Sequence, residues 1–388
     1  MMQITIPKSN DFRRFFNPVI LILMSVVLNT FFQLYTSEEE WNSFFIFNQK
    51  PDYTVFFISL VFYLFFLFGA FFAYLFNYQK HSNHRSHYLY NFSFYNGLLK
   101  FVFYSNVISL IVTQYYMHEA NIYNIYISGG VSAQTIESQI ASSPLGIHGI
   151  SVMLGYFGII MYGISRLIKD NRAIVFISIL VIIIKFISYA KLQSLLYVLL
   201  ALMLFSRRRI SINKGVIIGG VVIFLFSFTR IIRNPEQNLS LSFDFLFRFV
   251  GGFYFGSPVV NFNYVIQNNI QDVFYFFNWF LPQKIIPASP ISLEFPDVTS
   301  PIGFVGSAYV SLGIFSVIYA YLVGFIIQLI YLQRNTSPFA FVFQPFVIMA
   351  CIFAMMYNNF VNMIFFILPL IFSYLVVIKT ICARKEDV

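Results

Sequence analysis

The stretch that decides the fold opens with TRIIR (Thr229–Arg233), continues through FDFLFRFVGGFYFGSPVVN (Phe243–Asn261) and closes with SLEFPDVTSPIG (Ser292–Gly303). Apolar runs flank it on both sides. Within it, Asp244, Arg248, Asp272, Lys284, Glu294 and Asp297 are set among prolines and the Gly251-Gly252 pair. It is the longest part of the chain that does not read as continuous membrane helix. The reading of its two apolar pieces fixes the side of a membrane on which everything after it falls.

Outward from this stretch, the composition is that of a bilayer protein. The 388 residues are 59% hydrophobic and 10% charged, where a soluble domain carries roughly 25% charged residues. Too little polar surface remains to cover the chain in water. The net charge of +9 does not indicate nucleic acid, because the basic residues stand in short clusters at the ends of apolar runs rather than on one face. The 52 Phe are read as coding bias of an AT-rich genome. Neither Cys351 nor Cys382 is placed for a disulfide, and no metal-ligand spacing occurs. Lys8, Arg13 and Arg14 precede an apolar run that Glu38, Glu39, Glu40 and Trp41 follow without a small-residue cleavage site, so a retained signal anchor is expected.

A spanning helix needs about 20 mostly apolar residues. Ten runs qualify: 17–36, 54–77, 98–117, 147–165, 173–190, 191–206, 215–232, 303–332, 338–356 and 360–378. The fold expected is therefore all-α. It is a polytopic integral membrane protein with about ten transmembrane helices, forming one domain over residues 1–388, with a large periplasmic loop at 230–302. With the N-terminus in the cytoplasm and the helices alternating, all but Lys50, Lys185, Lys191, Arg230, Arg233, Arg248 and Lys284 of the 24 Lys and Arg fall on the inside. Both termini are then cytoplasmic. A spanning Phe243–Tyr264 would invert every later loop. If Val273–Ile286 spanned as well, a cytoplasmic loop without Lys or Arg would result. Both are therefore expected to lie as helices on the outer membrane boundary, in keeping with Gly251-Gly252, Pro258 and Pro282. Residues 118–146 read as an irregular outer loop with a short helix near Ala133–Ala141.

The candidate chemistry lies in and beside the outer loop. Arg230 and Arg233 are three residues apart and share a helix face. On the outer side they run against the charge bias, and a guanidinium fork suits a diphosphate; the plainer role is a pair of arginines snorkelling to headgroups. Asp244 and Arg248 form a favourable i,i+4 pair, followed by Gly251 and Gly252, which let a headgroup or backbone approach closely. That pair could equally be a solvated ion pair. Lys185 sits inside an apolar run and should pair or line a polar cavity. Lys191 and Gln193, with Ser194, flank the hairpin of the fifth and sixth runs. Glu294 or Asp297 could act as general base toward a sugar hydroxyl, or each could be a loop acid in water. His118 and His148 are weaker base candidates. His81, His84 and His87 are spaced by threes but lack carboxylate or cysteine neighbours, which favours a solvated face over a metal site.

The layout resembles the bacterial O-antigen polymerase (Wzy) family. The likeness covers most of the chain in topology. In sequence it rests on Lys191–Phe205 (KLQSLLYVLLALMLF) with Arg207-Arg208-Arg209 and the helix ending in Arg230 and Arg233, on Phe245–Asn261, and on Phe304–Gly324 (FVGSAYVSLGIFSVIYAYLVG). The resemblance implies a GT-C-like membrane glycosyltransferase at the outer face of a Gram-negative inner membrane. It would join undecaprenyl-diphosphate-linked oligosaccharide repeat units without nucleotide, metal or other cofactor. By that likeness Arg230, Arg233 and Arg248 would handle the diphosphate; it assigns no base, for which Glu294 and Asp297 are the candidates. Lys191, Gln193, Asp244, Gly251 and Gly252 would bind substrate. Its partners would be the lipid-linked oligosaccharide, membrane lipid and a chain-length regulator protein, with no nucleic acid. The chain departs from the related O-antigen ligases in lacking a well-placed outer histidine. A lipid-linked oligosaccharide flippase, an O-antigen ligase and a membrane acyltransferase are the competing classes. The flippase would want charged residues inside the bundle, and the acyltransferase a Ser- or His-based site.

Overall fold

The computed structural model describes residues 16–35, 52–79, 88–117, 146–188, 192–206, 257–275 and 302–383, with the single positions 124, 135, 138, 139, 220 and 224. The helices are α1 (Pro18–Tyr35), α2 (Tyr53–Gln79), α3 (Phe92–Tyr116), α4 (Ile147–Leu167), α5 (Ala173–Ser188), α6 (Leu192–Phe205), α7 (Ser257–Gln267), α8 (Gly303–Leu312), α9 (Ser316–Leu332), α10 (Pro338–Ile352) and α11 (Leu368–Thr380). Two three-residue strands, β1 (Tyr88–Tyr90) and β2 (Ile381–Ala383), pair antiparallel. The helix starts are written locally. Asn91 Oδ1 accepts from Phe94 N–H at 3.1 Å, Ser337 Oγ accepts from Ala340 N–H at 3.4 Å ahead of Pro338, and Asn362 Oδ1 accepts from Ile364 and Phe365 N–H at 3.0 Å each. Each satisfies amides that a helix N-terminus leaves without partners.

Five stretches are long and apolar enough to cross a membrane: Tyr53–Asn77, Phe92–Tyr116, Ile147–Leu167, Gly303–Asn335 and Met363–Thr380. Pro18–Val27, Ala173–Ser188, Gln193–Phe205 and Pro338–Ile352 are shorter apolar helices. The protein is a helical membrane protein. Its centre is α4, 67% buried over its apolar window where the other four reach 22–44%, enclosed by α3, α5, α6, α10 and α11. The outer faces carry exposed Phe57, Phe68, Phe71, Phe101, Ile108, Phe176 and Leu180. In a bilayer this apolar surface meets lipid rather than water.

α2 and α9 make the closest helix pair. A Cβ at Gly69 would collide with the carbonyl oxygen of Tyr321, and one at Gly324 with that of Phe66. Two glycines thus let the backbones touch, as small residues do in membrane bundles. The ring pairs Phe72–Tyr321 at 6.0 Å and Phe76–Phe325 at 6.2 Å advance together along both helices, so the two run parallel.

The sequence reads 303–332 as one helix, and the structure corrects this. Gly313 takes φ 53° and breaks the run between α8 and α9. Phe304 and Tyr319 have ring centroids 5.7 Å apart, although fifteen residues of straight helix would separate them by about 22 Å. The chain therefore folds back at Gly313 into a hairpin, with Ile314 and Phe315 exposed at its tip. The period of an apolar run carries no mark of such a reversal; only the glycine does.

The outer-loop helices are corrected in part. Of Phe243–Tyr264, the described piece is the start of α7, where Val259, Val260, Asn261, Phe262 and Asn263 are all buried. This piece does not rest on lipid. It is lodged against α8, with the Phe262 ring 5.6 Å from Tyr309, and against the start of α2, where Asp52 N–H donates to Asn263 Oδ1 at 3.1 Å. Of Val273–Ile286, residues 273–275 are described and form one turn, with Val273 and Phe274 exposed. Of Ala133–Ala141, only Thr135, Ser138 and Gln139 are described, and all three are helical.

The end of the bundle formed by α3's start and α4's end is fastened by polar groups. Arg172 forms a bidentate contact with Asp170 at 2.8–3.0 Å and donates to Asn96 Oδ1 at 2.7 Å. Burial alone would push the Asp170 carboxyl up, but hydrogen bonds from the Arg172 side chain and backbone and from Tyr95 outweigh it and hold the carboxyl below its ordinary value. A carboxyl lowered in the folded state stabilises above its unfolded value, about 3.9, and loses that contribution as pH falls through the lowered one. The thermal midpoint should therefore drop below about pH 4 and do so less in Asp170→Asn. Equal acid sensitivity of the two proteins would rule out this linkage.

Candidate functional site

The half of the bundle away from this fastened end holds the polar groups that a lipid-facing fold does not need. The first set joins α3, α4 and α5. Asn106 Nδ2 donates to the carbonyls of Val102 at 2.8 Å and Leu154 at 2.9 Å. Those two bonds fix its orientation and turn Oδ1 toward Lys185, whose Nζ donates to it at 2.5 Å and to Ser109 Oγ at 3.2 Å. Lys185 is wholly buried, and among the described residues its Nζ meets no carboxylate. Gly155 and Gly158 bring α4 close to α5, where added Cβ atoms would strike Phe186 and Ile182.

The second set adjoins it on α4 and α6. The hydroxyls of Tyr156 and Ser194 lie 2.8 Å apart. The Tyr156 ring is packed by Phe186, Tyr197, Phe346 and Phe365 at 4.9–5.8 Å. Tyr197 Oη and Gln193 Nε2 are buried and have no hydrogen-bond partner among the described residues. His148 is buried near the start of α4.

The third set is the turn between α10 and α11. α10 stops at Ile352, and the carbonyls of Ala354 and Met356 accept from Phe304 N–H at 2.7 Å and Gly303 N–H at 3.2 Å. The chain arriving from Glu294 and Asp297 re-enters the described structure at this point. Tyr319 Oη donates to Asn358 Oδ1 at 3.1 Å. The expected continuous helices 338–356 and 360–378 are thus interrupted by this turn and by a π-helical turn, Met363–Ile367.

Of the residues singled out by sequence as binding or catalytic, Gln193 is described and lies beside the Tyr156–Ser194 pair. Lys191, Arg230, Arg233, Asp244, Arg248, Gly251, Gly252, Glu294 and Asp297 lie outside the described residues, as do His81, His84, His87 and His118. Lys185, expected to pair or to line a polar cavity, is paired with Asn106 and Ser109. Sequence reasoning missed Asn106, Ser109, Tyr156, Asn358 and Asn359. The available signal was a polar amide inside an apolar run, the same signal that marked Lys185.

The described residues supply amide and hydroxyl donors in an apolar setting, together with one buried amine. Such groups recognise and orient a polar ligand; they do not by themselves make a nucleophile–base pair. Compared with known proteins, the chain matches no family model, no curated protein and no solved structure.

Proposed function

We propose that the chain polymerises undecaprenyl-diphosphate-linked oligosaccharide repeat units into an O-antigen-type surface polysaccharide at the outer face of a bacterial inner membrane. In this reading about ten helices cross the membrane and both termini are cytoplasmic. The observation that supports it is the division of charge along the bundle. Of the Lys and Arg among the described residues, Lys100, Arg166, Lys169, Arg172, Arg334 and Lys379 lie toward one end. Contacts tie that end together: Tyr95 donates to Asp170 at 2.9 Å, Asn91 N–H to Thr380 O at 2.7 Å, and the Phe205 ring lies 5.1 Å from Phe341. Lys185 alone of these residues is in the other half. By the positive-inside rule the basic end is cytoplasmic. Arg230, Arg233 and Arg248 then belong to the outer loop, where lipid headgroups and lipid-linked sugars are met.

In the reaction, an acceptor sugar hydroxyl on a new lipid-linked unit attacks the anomeric carbon of the growing chain. The new C–O bond forms as the bond to the diphosphate breaks. The hydroxyl proton passes to Glu294 or Asp297, and the lipid diphosphate leaves. Negative charge builds on the departing oxygen, and fixed guanidinium groups stabilise such charge most in the transition state. This role falls to Arg230, Arg233 and Arg248.

Arg230→Ala, Arg233→Ala or Arg248→Ala should leave protein levels intact and abolish long chains, leaving one repeat unit on the lipid core. Removing one such donor costs about 10²–10³ in rate. Normal ladders in all three variants would refute the assignment. A deletion strain with core and no repeat unit at all would point to a flippase or a ligase instead.

A further inference from the structure

We propose that a groove on the lipid-facing side of α3, at the basic end of the bundle, binds one anionic phospholipid, with its phosphate on Lys100 and an acyl chain between Phe94 and Phe101. Only the placement of α3 in a membrane is needed for this, not glycosyl transfer.

The groove has a volume of about 530 Å³ and is lined by Asn91, Ser93, Phe94, Gly97, Leu98 and Phe101. Sites for small ligands span ~300–1,000 Å³. Its shape is written on one helix face. Phe94 and Phe101 are seven residues apart, about 10 Å along the axis, and both are exposed. Between them Gly97 brings no side chain, and a Cβ there would meet nothing within 4 Å. Leu98 stands beside the gap. Two rings with one side chain missing between them leave a slot wide enough for a hydrocarbon chain. The slot opens outward, because α3 is the least buried of the five long apolar stretches, 22% over its apolar window.

An apolar slot alone takes any lipid tail; charge selects the headgroup. Lys100 is the one charged residue of Phe92–Tyr116. It is exposed, and among the described residues it pairs with no carboxylate. Lysines within a spanning segment pair, line a polar cavity or snorkel to headgroups. Lys100 faces away from the bundle, so its partner comes from the lipid. Helical side chains lean toward the N-terminus of their helix, which for α3 is the basic end. The Lys100 stem therefore runs back along the flank of the groove toward Ser93, seven residues earlier on the same line of the helix surface. Ser93 adds an exposed hydroxyl there. Neighbouring groups do not cancel the lysine. Arg172, which donates to Asn96, already has its counter-charge in Asp170. Lys379 is a second exposed cation at this end, next to Thr380, whose carbonyl accepts from Asn91 N–H. This setting favours an anionic headgroup over a zwitterionic one, whose own cation it would repel. Basic pockets at the headgroup level of membrane proteins bind such lipids.

The test uses the purified full chain, stripped of co-purified lipid in detergent, and native mass spectrometry of its lipid adducts. The probes are phosphatidylglycerol and phosphatidylcholine with the same palmitoyl and oleoyl chains. The unaltered protein should bind one phosphatidylglycerol more tightly than phosphatidylcholine. Lys100→Gln should weaken phosphatidylglycerol about fivefold, the effect of one cation beside an anionic headgroup, and leave phosphatidylcholine unchanged. Gly97→Leu should fill the slot and weaken both lipids. Its thermal midpoint should not fall, since the added Cβ meets no protein atom within 4 Å. Arg334→Gln removes an equal charge from the same end of the bundle, beyond α9, and should change binding of neither lipid. Equal binding of the two lipids by the unaltered protein overturns the site. So does phosphatidylglycerol binding that is unchanged in Lys100→Gln or in Gly97→Leu. An equal loss in Arg334→Gln also overturns it, because net charge and ordinary surrounding lipid would then account for the preference.

Discussion

Asn106→Leu should destabilise the protein by about 3 kcal/mol or more, while Lys185→Leu should be close to neutral or stabilising. The asymmetry follows from which group loses what. Lys185 is wholly buried and donates to Asn106 Oδ1 and Ser109 Oγ. Removing Asn106 leaves the buried Lys185 amine in apolar surroundings with one remaining acceptor, and a buried polar or charged group short of partners is among the costliest defects a fold can carry. It also removes the side-chain donor to the Leu154 carbonyl, which keeps its bond within α4. Removing Lys185 takes the buried amine away and leaves a short polar amide with its two backbone bonds intact. Thermal or SDS unfolding of the purified variants gives the order directly. Equal losses, or a larger loss in Lys185→Leu, would mean that the amine holds the helices together rather than being held by them. Under the proposed function, the polymer ladder of Lys185→Leu then reports whether the Lys185 amine is needed for the reaction, separately from stability.

Gly324→Val carries the second large effect. A Cβ at Gly324 falls on the Phe66 carbonyl oxygen, and one at Gly69 on that of Tyr321. Both obstacles are backbone in the middle of a helix, so neither can rotate aside as a side chain could. Overpacking usually costs about 1–3 kcal/mol. Here the two longest-contacting helices must separate, so a loss at or above the top of that range is expected, with reduced protein in the membrane. Gly97 supplies the control: a Cβ there meets nothing within 4 Å. Gly97→Ala should be neutral or stabilise α3 by up to about 1 kcal/mol. A Gly324→Val protein as stable as the original would show that α2 and α9 can slide apart without penalty.

Much of the helical layout could be read from the chain. The apolar runs 54–77, 147–165 and 173–190 differ from α2, α4 and α5 by a few residues at most, because a run of that length in a membrane has little choice but helix. The hairpin of α8 and α9 could not be read the same way. Gly313 is one small residue in an apolar series, and a reversal and a straight continuation give the same letters. The burial of α7 was hidden for a related reason: FGSPVVNFN is apolar enough for lipid or for protein, and its surroundings come from helices far along the chain. At the site, Lys185 announced its need for a partner, but not which one. Asn106 lies on a different helix, and nothing near Lys185 in sequence names it. Nothing in the sequence sets the asparagines of the turn apart from the other neutral polar residues scattered through the apolar runs. Their neutral amides become notable only once burial shows them idle.

The β1–β2 pairing carries a consequence for how the protein is made. Tyr88–Tyr90 hydrogen-bonds to Ile381–Ala383, and Asn91 to Thr380. β1 is made long before its partner exists, because the intervening helices come first in the chain. During synthesis the entry to α3 therefore waits with an open backbone edge while α4 to α10 are inserted, and the last helix closes it on arrival. The pairing thus acts as a latch between parts of the chain made far apart in time, and until it closes β1 keeps an open backbone edge.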